Sequence, residues 1–159
     1  MPSVKKNSSA KIRCGIQGVK KISAITRICI RFNEVDSMSI VWHGNYAMYF
    51  EQAREAFGKK YGLEYLKIYF NGYYVPIVKL SFDYKKILKY GDDVEVKITY
   101  VPTASAKICY EYQVFVKSKT GKQVLAAQGE SMQVFTDLKH NLVLENPAFY
   151  ESWKKKWLK

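Results

Sequence analysis

The sequence predicts a mixed α+β domain, one antiparallel sheet of about five strands wrapped around one long central helix. Three observations lead there. Tyr46, Tyr49, Phe50, Ala53 and Phe57 recur at helical spacing and form a single long apolar stripe. Nearly everywhere else, apolar and polar residues alternate, as they do in strands with one buried face. The order is strand, long helix, then about four strands in meander, so one face of the sheet must cover the stripe.

The first strand is expected over residues 25–32, with Ile28, Ile30 and Phe32 on one face and Arg27, Cys29 and Arg31 on the other. The long helix runs from Asn45 to about Lys60. Gln52, Glu55 and Lys59 lie opposite its stripe, and Gly58 and Gly62 mark its end. A short helical piece follows over residues 63–70, stopped by Asn71-Gly72. Residues 75–88 read as a long strand with Pro76 near its start. Gly91-Asp92-Asp93 turns the chain into a strand with Val94, Val96, Ile98 and Tyr100 on one face. After Pro102, Ile108, Tyr110, Tyr112, Val114 and Val116 make the next strand face, and Ser118-Lys119-Thr120-Gly121 is a hairpin turn. The last strand spans residues 122–135 and is broken over residues 137–141. A C-terminal helix over residues 146–159 has Pro147 in its first turn and Phe149, Trp153 and Trp157 four residues apart, flanked by lysines. That pattern serves either packing on the protein's own sheet or a membrane-surface or partner helix.

A chain of 159 residues suits one domain with a real core, and 48% hydrophobic against 25% charged residues excludes a disordered chain. Thirteen tyrosines imply a large apolar pocket, a buried interface or an aromatic core. A formal charge of +12 favours an anionic partner, with nucleic acid, anionic lipid and coenzyme phosphates all eligible. No nucleic-acid recognition motif accompanies the charge, so no nucleic-acid partner is expected. No apolar run reaches the roughly 18 residues of a membrane span. Residues 1–22 read as a flexible basic arm; the lack of an apolar core in the first 21 argues against a signal peptide. Cys14, Cys29 and Cys109, odd in number and without a C-x-x-C pair, read as reduced residues of a cytoplasmic protein. With only His43 and His140, no zinc spacing appears, and no metal or cofactor is expected.

The stretch that carries chemistry runs from Asn33 to Tyr46. Asp36 falls where a strand should end, and His43, Gly44 and Asn45 fall where the helix should begin. A helix start presents unpaired N–H groups and partial positive charge, suited to an anion or a polarised carbonyl oxygen. A carboxylate joined to such a start by a loop is a plausible place for acyl chemistry.

Asp36-Ser-Met-Ser-Ile-Val-Trp-His-Gly-Asn-Tyr46, then Tyr49-Phe50-Glu51 and Arg54, resembles the hot-dog-fold acyl-CoA thioesterases of the 4-hydroxybenzoyl-CoA thioesterase type. Asp83-Tyr84 and Tyr90-Gly91-Asp92 resemble that family's second strand and turn, and the likeness covers roughly residues 25–135. The resemblance implies a hot-dog domain at 23–145, at least a homodimer, and a site at the subunit interface. It also implies hydrolysis of an acyl thioester without metal or prosthetic group. The family's catalytic Asp matches Asp36, and its carbonyl-polarising amide matches that of His43. Ser39 stands where the family usually has Gly, and Ile87 where it often has Pro. The arm and the C-terminal segment at 146–159 have no clear counterpart.

Substrate contacts are expected from Val41, Trp42, Gly44, Asn45, Tyr46 and Glu51. Asp36 would attack the thioester or activate water; its structural alternative is a turn cap. The His43 side chain would position substrate or pack on a neighbouring subunit. Asn45 would cap the helix or touch substrate, and Tyr46 would line the pocket or the core. Glu51 would be an auxiliary carboxylate or the partner of Arg54. The competing functions are a non-catalytic acyl or anion-binding module and a hydrolase of carrier-protein thioesters.

Overall fold

The computed structural model describes residue 16 and residues 18–159; the rest of the expected N-terminal arm lies outside the described residues. The chain forms β1 (Ser23–Cys29), α1 (Asn45–Tyr61), α2 (Tyr65–Phe70), β2 (Tyr73–Tyr74), β3 (Ile77–Tyr84), β4 (Asp93–Val101), β5 (Lys107–Lys117), β6 (Gln123–Val134), β7 (Thr136–Asp137) and α3 (Ala148–Trp157). Five strands make one sheet in the order β1-β4-β5-β6-β3, every neighbour antiparallel. β2 and β7 form a separate two-stranded ribbon. No helix among the described residues is long and apolar enough to cross a membrane.

The stripe on α1 does what its spacing predicts. Tyr46, Tyr49, Phe50, Ala53 and Phe57 are all buried. Phe50 stacks on Tyr112 of β5 with ring centroids 4.0 Å apart. A Cβ at Gly129, opposite Tyr112 on β6, would collide with the Ser81 carbonyl and the Phe50 ring. Gly129 therefore lets the helix sit close to the sheet. The alternating faces of β4 and β5 are buried as expected.

Two expected strands change. The first ends at Cys29, and Phe32, expected on its buried face, is 75% exposed. It lies instead in a 3-10 turn, Phe32–Glu34, closed by the Arg31 amide donating to the Glu34 carboxylate at 2.6 Å. The Phe32 ring meets Tyr90 edge-on at 5.7 Å. The long strand expected at 75–88 begins only at Ile77, after Pro76, which has no N–H to donate; the two-residue β2 that precedes Pro76 belongs to the separate ribbon with β7. β3 then stops at Tyr84, where the Lys85 and Lys86 amides both donate to the Ala126 carbonyl.

The aromatics of α3 pack on the protein itself. Tyr150 is fully buried; its hydroxyl donates to the Lys107 carbonyl at 2.7 Å and accepts from Tyr100 at 2.6 Å. Trp153 Nε1 donates to the Tyr61 carbonyl at the end of α1, 2.8 Å away.

Candidate active site

Glu34 anchors the loop before α1. Its carboxylate is almost fully buried and takes both the Arg31 amide and the Arg31 guanidinium. Its carbonyl accepts the Trp42 amide at 2.9 Å and Asn45 Nδ2 at 2.8 Å. Asn45 is therefore a strap between the loop and the helix start; of its two expected roles, that of helix cap falls to Gly44. Val35 and Val41 form an isolated antiparallel bridge that closes the loop between them.

Asp36 sits at the base of that loop. Its amide donates to the Ile40 carbonyl, and its own carbonyl accepts the Ser39 amide, each at 2.9 Å. Oδ1 accepts the Met38 amide at 2.8 Å, as a turn-forming Asp does. Oδ2 takes no hydrogen bond among the described residues, so one carboxylate oxygen remains for other work. Ser39 has φ of +60°, in the left-handed region that favours Gly. Ser39 thus holds a backbone conformation that Gly adopts without strain.

Helix α1 begins without a side-chain cap: its N-cap is Gly44. No backbone hydrogen bond among the described residues uses the His43 or Gly44 amide. These amides lie at the positive end of a 17-residue helix. The His43 carbonyl accepts the Tyr84 hydroxyl at 3.1 Å, which ties the helix start to the end of β3. The Trp42 indole, about half exposed, rests on the His43 ring with centroids 5.1 Å apart and covers Gly44.

Asp36, Val41, His43 and Tyr46 line one cleft of about 240 Å³, together with Met38, Ile40 and residues 84–88. Tyr46 is both pocket and core: it is 3% exposed, and its ring meets Tyr84 edge-on at 4.9 Å. Burial, helped by Tyr84, pushes its hydroxyl up to about 12, so it is neutral and a hydrogen-bond donor at physiological pH. Trp42, Gly44 and Asn45 shape this cleft from outside its lining.

Glu51 stands elsewhere. It borders a larger cavity of about 540 Å³ between α1, α2 and the sheet, walled by Leu66, Ile68, Val75, Ile108 and Tyr110. The two cavities share no lining residue. Glu51 makes no ion pair with Arg54; Arg54 donates to the Tyr112 hydroxyl at 3.1 Å instead.

Sequence reasoning missed Glu34, Lys85 and Lys86. The two lysines follow the Asp83-Tyr84 motif directly, which was the available signal. Glu34 offered none, because its role depends on where the chain turns.

Comparison with known proteins bears on the family and the fold. The model of the family described as "Thioesterase-like superfamily" matches residues 30–156, past the expected limit of the resemblance and through most of α3. A candidate acyl-CoA thioesterase of Bacillus subtilis, YneP, is 33% identical over 86 residues, which are 54% of this chain and 62% of that protein. The chain thus matches less than two thirds of that relative's length. The crystal structure of the DHNA-CoA thioesterase of Staphylococcus aureus superimposes with a TM-score of 0.73 at 28% identity, covering 84% of this chain and 90% of that one. The 4-hydroxybenzoyl-CoA thioesterase of Pseudomonas sp. strain CBS-3 shares the fold, with a TM-score of 0.70 at 21% identity over 82% of this chain and 98% of that one.

Proposed function

Because the chain belongs to the thioesterase-like superfamily and has its hot-dog fold, we propose that it hydrolyses an acyl-CoA to a free carboxylic acid and coenzyme A. The observation that carries this reading is the pairing, in one cleft, of an Asp36 oxygen without a partner among the described residues and a helix start without a side-chain cap. The substrate carbonyl oxygen lies toward the His43 amide, where negative charge developing in the transition state is stabilised; one such contact is worth about 3–4 kcal/mol. Asp36 either takes a proton from the attacking water or attacks the carbonyl carbon itself. Both routes break the C–S bond, release the thiol of coenzyme A after proton transfer, and add the elements of water to the acyl group.

The protein acts as at least a homodimer, with the site at the subunit interface. One edge of β3 pairs with β6 and the other is unpaired among the described residues, with Ile77 and Val78 exposed. An open edge with apolar residues is suited to pairing with a second copy. Since Glu51 faces a cavity separate from Asp36 within one protomer, its contribution to the reaction comes through the partner's site. A cytoplasmic location fits the odd number of cysteines and the lack of a C-x-x-C pair.

Asp36→Asn tests the mechanism. The variant keeps size and turn geometry but loses the anion, so kcat falls at least about 10²-fold while KM moves little. Thiol release from a panel of short, long and aromatic acyl-CoAs is the readout. A folded, oligomeric variant with near-normal turnover would reduce Asp36 to a turn former and overturn the mechanism.

A further inference from the structure

The cleft around Asp36 carries more positive charge than its carboxylate needs. Its lining holds one acid, Asp36, and two lysines, Lys85 and Lys86. Both lysines are exposed, and neither takes part in a salt bridge among the described residues. Nearby acids are engaged elsewhere: Asp83 accepts from Gln128 Nε2 at 3.3 Å, and Asp92 accepts the Lys89 amide at 2.8 Å.

The backbone explains how two successive lysines both border one cleft. Successive side chains of a regular strand point to opposite faces. Here the amides of Lys85 and Lys86 both donate to one acceptor, the Ala126 carbonyl, each at 2.9 Å. Two consecutive amides on one carbonyl bend the chain as a bulge does, and both residues border the cleft.

A thioester carbonyl is neutral, so the two lysines that border the cleft have no counterpart in the reacting group. The counterpart lies in the handle of the substrate, a pantetheine arm that carries phosphate in coenzyme A and in carrier proteins alike. We propose that Lys85 and Lys86 form the subsite for a phosphate of this handle. The proposal rests on the reading of the chain as an acyl thioester hydrolase.

The test compares wild type with Lys85→Ala/Lys86→Ala on one acyl group borne by coenzyme A, 4′-phosphopantetheine or pantetheine. Exposed phosphate contacts act on ground and transition states alike, so the loss falls on KM. KM for acyl-CoA rises by about threefold to thirtyfold, the range for two exposed ion pairs, while kcat stays within about twofold. KM for acyl-pantetheine is unchanged. Lys85→Arg/Lys86→Arg, which keeps the charge, restores KM, and Lys156→Ala on α3 leaves it unaltered.

If acyl-4′-phosphopantetheine shows the same rise as acyl-CoA, the bound phosphate is the one next to pantetheine, present in carrier-protein substrates too. If only acyl-CoA shows it, the nucleotide phosphates are bound. The proposal falls if KM for acyl-CoA is unchanged, if it rises equally with acyl-pantetheine, or if the arginine pair fails to restore it. Should wild type hydrolyse none of the thioesters, the reading of the chain as a hydrolase falls. Calorimetric binding of coenzyme A then decides the subsite: weaker binding by the double alanine variant supports it, and equal binding overturns it.

Discussion

The two ends of α1 are built to opposite rules. At its end, polar groups find partners inside the protein. The Gly62 amide returns to the Gly58 carbonyl, Trp153 satisfies the Tyr61 carbonyl, and the Tyr61 hydroxyl reaches the Ser23 carbonyl. At its start, Gly44 supplies no side-chain cap, one Asp36 oxygen has no partner among the described residues, Met38 is largely exposed and Trp42 about half exposed. These unpaired groups are what the proposed site at the helix start rests on. Cavity size points the other way: the larger cavity lies along the middle of the helix, away from Asp36.

Mixing two defective subunits asks whether the middle of the helix shares in the chemistry of its start. Asp36→Asn and Glu51→Gln homo-oligomers are each expected to be strongly impaired. If Glu51 serves the partner's Asp36, refolding the two variants together restores about a quarter of wild-type activity, since half of random dimers are mixed and each has one intact site. Recovery absent from a mixture shown to contain mixed dimers would confine the chemistry to the helix start.

The packed end is broken by Tyr150→Phe. The variant leaves the Tyr100 hydroxyl and the Lys107 carbonyl without their partner. The cost is about 2 kcal/mol, or a fall in Tm of about 4–8 °C for a chain of this size. Acyl-CoA turnover measured well below Tm stays within about twofold if the two ends work independently. A folded variant with collapsed kcat would join them.

The smallest effect is expected at Ser39→Gly. Removing a side chain from a residue with φ of +60° relieves strain in the Asp36 turn. Stability rises by less than about 1 kcal/mol, since Gly gives back part of the gain through the unfolded chain. Denaturant midpoints read this, and a loss of stability would mean that the Ser39 side chain holds the loop.

Where period alone decides, the sequence was legible. The stripe of α1 and the alternating faces of β4 and β5 are buried as their spacing predicts. Phe32 also fits the alternation, but the Glu34 carboxylate captures the Arg31 amide and turns the chain first. The strand expected at 75–88 starts only after Pro76 and ends where Ala126, distant in sequence, accepts two amides. The helix start at Asn45, with Asp36 on the loop before it, was legible from local order. That Glu51 faces another cavity was not, because the position of a helix face relative to a loop is set by the whole fold. Tyr150 lies outside the Phe149, Trp153 and Trp157 spacing, yet it is the most buried aromatic of α3.

The indole over Gly44 links two positions of the sequence as one unit of variation. A Cβ at residue 44 would fall within the Trp42 ring. Any larger residue at 44 thus displaces the indole from the helix start, and a smaller residue at 42 leaves room there for a side chain. Related chains that fill position 44 should carry a different residue or rotamer at 42. A mutagenesis library that varies residue 44 alone meets the indole at every substitution, whereas joint variation of 42 and 44 can reach the alternative pairings.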